Sequence, residues 1–176
     1  LYYIQSFELS LGIDGVDIAT TLPKIPNTEI NYLNKLSDLV WDTHLNPKRQ
    51  YIKGVGRQPF RIFYSLHSAD NGTRTSLIPH TEDVLEAVNY FKTLELKGIN
   101  IILHHMFFEG INDSFDEANH IISLLSVFNN IELRLLRFNA CPGTSYRESS
   151  NFDALVDHIY NKHTNIKTQI SPGAEI

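Results

Sequence analysis

A chain of 176 residues, 42% hydrophobic and 20% charged, has enough apolar side chain for one globular domain with a substantial core. Its net charge of −5 excludes a general attraction for nucleic acid, so any RNA contact must be a local patch or lie outside these residues. Its single cysteine, Cys141, excludes an internal disulfide and any site needing three or four thiolates from this chain alone, and fits a reducing cytoplasm.

No apolar run approaches the roughly 18 residues a membrane span needs, so no membrane partner is expected. The start, Leu1-Tyr2-Tyr3-Ile4-Gln5, carries neither an initiator Met nor the basic region of a signal peptide and reads as a position inside a longer polypeptide. Residues 1–13 read as an amphipathic helix, and Gly15 to Thr21 as a short strand ending in hydroxyls. Pro23 and Pro26 break the chain, and Asn27 can cap a helix from Thr28 to about Leu39. Residues 41–59 hold Lys48, Arg49, Lys53 and Arg57, a basic loop that is either solvated surface or an anion contact.

Arg61 to Leu66 is an apolar, aromatic run that stops in Ser65-Leu66-His67-Ser68, followed by a polar loop from Ala69 to Arg74. This pattern reads as a buried strand that delivers small polar groups to a mouth. Ligands of parallel α/β folds sit at the carboxyl ends of strands. Ser65 and His67, two residues apart, would share one face of that strand. Read on their own, they are better explained as groups that satisfy local backbone.

A helix follows, capped by His80 or Thr81, with Val84, Leu85, Val88, Phe91 and Leu94 as its apolar stripe and Gly98 at its end. Ile99 to Phe108 reads as a strand covered on both faces. His104 and His105 within it would face opposite ways, as satisfied core histidines rather than a metal pair. A helix capped by Asp113 or Ser114 runs to about Phe128, and a strand from Ile131 to Phe138 ends in the loop Asn139 to Gly143. Phe152 to about His163 is a helix, with His158 and His163 near its end, and Ile166 to Ile170 a last strand. Regular alternation of strand and helix implies parallel βαβ units. Five strands without a second wing predict part of a barrel.

Several stretches, in order, resemble the radical S-adenosylmethionine (SAM) RNA methyltransferases of the RlmN/Cfr family. Phe63 to Asp70 is similar to the family's Ser-Leu-His segment, and Thr73 to Pro79 to its Arg-x-x-Leu-x-Pro. Phe107 to Ser114 resembles the Gly-Val-Asn-Asp-Ser turn, and Leu136 to Gly143 the Phe-Asn-Pro-x-Pro-Gly stretch. Asp17 to Thr21 sits where the family has Ser-Thr-Ser-Gly, and Ser171 to Ile176 looks like the segment before its Ala-Cys-Gly.

The resemblance implies an α/β fold, a partial TIM-type (βα)6 barrel of the radical SAM kind. Residues 1–176 would be a single domain, the C-terminal half to two-thirds of that barrel. It implies methyl transfer from SAM to an adenine carbon of ribosomal or transfer RNA, by a cytoplasmic enzyme read as a monomer. Carried over residue by residue, Ser65, Leu66, His67 and Asn139 would contact SAM. Ala19 stands where the family has the first Ser of Ser-Thr-Ser-Gly and has no hydroxyl to offer, so that contact would be lost or pass to Thr21.

The cysteines of a 4Fe–4S cluster and the Gly-Glu-Pro that binds the SAM amino group would lie upstream of Leu1. The methyl-carrying cysteine would lie just beyond Ile176, which leaves Cys141 as a loop residue. His104 replaces the family's usual Glu. Two other readings stay open. One is a non-catalytic SAM- or nucleotide-binding module without a cluster. The other is an unrelated TIM-barrel enzyme with His67 as general base and Asp70 or Glu109 as its carboxylate partner.

Overall fold

A computed structural model describes residues 16–24, 33–35, 60–140, 142–162 and 167–171. The expected helix over 1–13, the basic loop 41–59, Cys141 and His163 lie outside the described residues, and of the helix expected from Thr28 only residues 33–35, which are helical, fall within them.

The described strands are β1 (Val16–Thr20), β2 (Phe60–Ser65), β3 (Asn100–His105), β4 (Ile131–Leu136) and β5 (Lys167–Ser171). The helices are α1 (Asn71–Leu77), α2 (Val84–Leu96), α3 (Phe115–Leu125) and α4 (Phe152–Lys162). All neighbouring strands pair in parallel, in the order β1-β2-β3-β4-β5. Each strand is added on the same side as the one before. A doubly wound sheet reverses direction at a switch point, whereas a barrel winds on in one sense. The expected α/β barrel segment is what the chain forms.

Strand alternation sorts the side chains onto two faces. Ile62, Tyr64, Ile101, Leu103, Leu133 and Leu135 pack with Phe91, Leu94, Ile121, Leu125, Leu155 and Ile159 of the helices in one buried core. The opposite face carries Phe63 and Ile102 among charged groups. Arg61 pairs with Asp17, Arg134 bonds Glu132 at 2.6 Å, and both guanidiniums lie about 5 Å from the Phe63 ring, at 5.3 and 5.1 Å. Charges can face this side because they arrive already paired, with an aromatic face beneath them. Among the described residues, no helix is long and apolar enough to cross a membrane.

Three local expectations change. The polar stretch from Asp70 is a short helix, because the Asp70 side chain accepts from Thr73 N at 2.8 Å as an N-cap. The next helix starts later, since Asp83 rather than His80 or Thr81 is its cap, accepting from Leu85 N at 2.9 Å. Leu85 is exposed and Ala87 takes its place in the buried stripe. Gly98 does end the helix, at φ +85°, a conformation that favours glycine.

His104 and His105 do face opposite sides. His104 packs on Phe63 (5.1 Å between ring centroids), and His105 packs on Phe107 (4.5 Å). They are not satisfied, however. His104 Nε2 and both ring nitrogens of His105 are buried without hydrogen-bond partners. Burial, helped by the nearby His67, holds His105 well below the ordinary histidine range, so it stays neutral.

A histidine kept neutral makes stability depend on pH. The unfolded chain binds a proton at residue 105 below about pH 6.5, while the folded chain does not. Stability is therefore present above that pH and is lost as the pH falls. Between pH 6.5 and 5 this one site should remove about 2 kcal/mol. A His105→Leu variant should lose that share of the pH dependence in urea unfolding at the two pH values, and should gain about 1–3 kcal/mol at pH 7 from removal of unpaired nitrogens.

Candidate functional site

The β2 ladder extends one residue past Ser65, through Leu66 N to His104 O at 2.9 Å, and then the chain turns. His67 takes φ +54°, a left-handed conformation uncommon for a side-chain-bearing residue. The same-face argument for Ser65 and His67 therefore ends with the strand. A turn then carries His67, and three side chains from elsewhere hold it.

Arg74 of α1 is the first. Its residue is 1% exposed, and its guanidinium lies over Tyr64 at 5.1 Å. Nε donates to Leu66 O at 3.0 Å, and Nη2 to Ser65 O at 3.2 Å and Thr21 O at 2.8 Å. Nη1 donates to the Thr81 hydroxyl and to Glu82 O at 3.3 Å. The rigid fork thus gathers the ends of β1 and β2 and the approach to α2.

Asn112 is the second. It is 3% exposed, donates from Nδ2 to His67 O at 2.5 Å and Met106 O at 2.8 Å, and accepts from Phe108 N at 2.6 Å. Glu117 of α3 is the third, its Oε1 accepting from Ala69 N at 2.5 Å. Burial raises the Glu117 pKa, and the bonds from Ala69 and Ser68 oppose that rise.

With the backbone so occupied, the side chains remain to meet a ligand. Ser65 is half-buried, and its hydroxyl makes no hydrogen bond among the described residues. His67 Nδ1 is buried without a partner, and its ring packs edge-on to Phe108 at 6.2 Å. Burial first, then the Arg74 and His104 charges, lower the His67 pKa to about 4, so at neutral pH the ring carries one donor and one acceptor.

Thr21 is half-buried and joins this group through its carbonyl on Arg74. Asn139 lies exposed beyond β4, next to Phe138, whose ring packs on Phe108 at 5.2 Å. Leu66 is different: its side chain is fully buried in the core and offers no polar atom. Asp70 is engaged as the α1 cap rather than as a partner of His67.

The site residues that sequence reasoning missed are Asn112 and Glu117, together with the role of Arg74. Asn112 falls in the stretch that resembles the Gly-Val-Asn-Asp-Ser turn, and Arg74 opens the one that resembles Arg-x-x-Leu-x-Pro, but neither motif says which backbone atoms its residue holds. Glu117 stands in no motif. Each acts on backbone atoms that only the fold brings to it.

The strand order and the polar strand ends define a class: a segment of a parallel α/β barrel, and solved radical SAM proteins share this fold. A radical SAM methyltransferase from Sphaerobacter thermophilus superposes with a TM-score of 0.67 at 16% identity, over 91% of this chain and 41% of that one. Streptococcus suis SuiB bound to S-adenosylmethionine superposes with a TM-score of 0.54 at 11% identity, over 91% of this chain and 40% of that one.

The relatives in sequence are more particular. The chain is 25% identical, over 127 residues, to the dual-specificity RNA methyltransferase RlmN of Ruthia magnifica, covering 68% of this chain and 35% of that protein. It is 30% identical, over 111 residues, to RlmN of Aliarcobacter butzleri, covering 59% and 30%. The chain therefore spans about a third of the length of these two curated relatives. No protein-family model matches it. The resemblance of the motifs to the RlmN type is thus a similarity of sequence along the matched residues.

An Arg74→Met variant keeps the buried volume but leaves the carbonyls of Thr21, Ser65 and Leu66 without their donor. It should lose about 3–5 kcal/mol in urea unfolding, and Arg74→Lys should restore only part, because an ammonium cannot span the fork.

Proposed function

We propose that this chain is the SAM- and nucleotide-facing part of a radical SAM RNA methyltransferase, acting on an adenine carbon of ribosomal or transfer RNA. The observation that carries the proposal is the unpartnered, buried Nδ1 of His67. It stands two residues after Ser65, whose hydroxyl is uncommitted, on a turn already fixed at the strand ends. A buried ring nitrogen left unpaired costs about 1–3 kcal/mol, which a bound polar ligand would return. Relatives named as RNA methyltransferases support the enzyme over a binding module that lacks a cluster.

The residues present fit SAM. In our reading, the Ser65 hydroxyl and the neutral His67 ring bond its ribose or amino-acid end, and the Asn139 amide meets a second polar edge. Thr21 closes the β1 side, and Leu66 is the apolar anchor that fixes the turn from below. Neutral groups suit a sulfonium ligand because they add no charge beside it. When bound, SAM supplies the transferable methyl group and the radical precursor.

The residues do not fit a 4Fe–4S cluster. The chain has one cysteine, and among the described residues no group of three His, Cys, Asp or Glu could hold a metal. A cluster would take its thiolates from outside this chain, and this chain's task is to bind and orient.

The test is isothermal titration with SAM. His67→Asn is the informative variant, because asparagine tolerates the left-handed turn while removing the ring. It should bind SAM at least about tenfold more weakly with stability changed by less than about 1 kcal/mol, and Ser65→Ala should weaken binding by several-fold. Affinities like that of the parent in both variants would overturn the proposed site.

A further inference from the structure

We propose that a cleft beside the SAM site, between the loops that follow β3 and β4, holds a nucleotide of the single-stranded RNA substrate. The inference rests on the RNA methyltransferase reading and adds the place where RNA is gripped. The cleft has a volume of about 360 Å³ and is lined by Glu109, Ile111, Ser145, Tyr146 and Arg147. That is within the usual range for a small-molecule site.

The cleft's walls are built, not loose. Glu109 N donates to Arg147 O at 3.0 Å and Ser149 N to Phe107 O at 3.0 Å, around an antiparallel bridge between Phe108 and Glu148. The Ser149 hydroxyl then donates to Asp113 at 2.9 Å, and Asp113 accepts from Gly110 N at 3.1 Å.

On this frame the cleft's own side chains are uncommitted. Arg61, Arg134 and Arg137 are held by carboxylates, and Arg74 by carbonyls. Arg147 is exposed and makes no side-chain bond or ion pair among the described residues. Tyr146 is 38% exposed, and its ring is tilted against Phe108 at 5.3 Å. That contact braces the ring while the residue stays exposed. A braced, open aromatic ring stacks a base, a free guanidinium binds a phosphate, and the Glu109 carboxylate can accept from a base amino group.

Phe108 links the cleft to the candidate SAM site, since its ring packs on both His67 and Tyr146. A base on Tyr146 would therefore lie close to the candidate SAM site. In a chain of net charge −5, one unpaired arginine at the mouth is the kind of local contact that RNA binding requires.

The experiment measures binding of a short, fluorescein-labelled, single-stranded oligoribonucleotide by anisotropy, at several salt concentrations, alongside SAM titration. Tyr146→Ala should weaken RNA binding about tenfold and Tyr146→Phe should not. Arg147→Ala should weaken it and flatten the slope of log affinity against log salt by about 0.7. SAM affinity should be unchanged in all three. Parent-like RNA affinity in Tyr146→Ala and Arg147→Ala overturns the cleft, as does absence of RNA binding by the parent protein. Loss of SAM binding by the parent, with RNA binding intact and sensitive to Tyr146, would support the cleft and count against the methyltransferase reading.

Discussion

A guanidinium buried without a carboxylate partner among the described residues is the constraint on which this structure turns. Arg74 directs its donors to backbone carbonyls and one hydroxyl, so its charge is met by dipoles rather than by a counter-ion. Burial lowers its pKa, yet an arginine stays protonated, and the desolvation cost has to be balanced by good geometry. The balance is possible because parallel strands leave carbonyls unpaired at their carboxyl ends. Arg74 uses the carbonyls of Thr21, Ser65 and Leu66 for that purpose, and in doing so fixes two strand ends relative to each other.

The turn at His67 follows from this. With Leu66 clamped from below, the chain can hold His67 left-handed, and Asn112 and Glu117 take up the next carbonyl and amide. The backbone groups are occupied before any ligand arrives. What is left over is a hydroxyl, an imidazole held neutral by burial, and an amide. Pre-organised neutral groups of this kind bind a ligand with little further loss of their own freedom. The same loops, carried by Phe108, present a second surface at Tyr146 and Arg147.

Much of this was legible in the amino-acid sequence. Apolar runs such as Ile101-Ile102-Leu103 and the helical spacing of Val84, Val88 and Phe91 are signals of period, so the order of strands and helices could be read directly. The step from Tyr64 to Ser65 announced a strand end with chemistry on it. Short-range capping was harder. Asp70 and Asp83 compete with several neighbouring cap residues, and α1 is seven residues long with Gly72 and two threonines, so propensity gave no warning of it. The ties made by Arg74, Asn112 and Glu117 were not legible at all, since each bond spans residues that only the fold brings together. The histidines were half legible: alternation gave the two faces of β3, but not that the core would leave His105 unpaired.

A crystal structure of the protein with SAM tests the central claim most directly. The account predicts a SAM polar group within hydrogen-bond distance of His67 Nδ1 and of the Ser65 hydroxyl, with the turn and its bonds to Arg74, Asn112 and Glu117 unchanged. SAM bound elsewhere on the sheet, or a turn that rebuilds itself around the ligand, would contradict it.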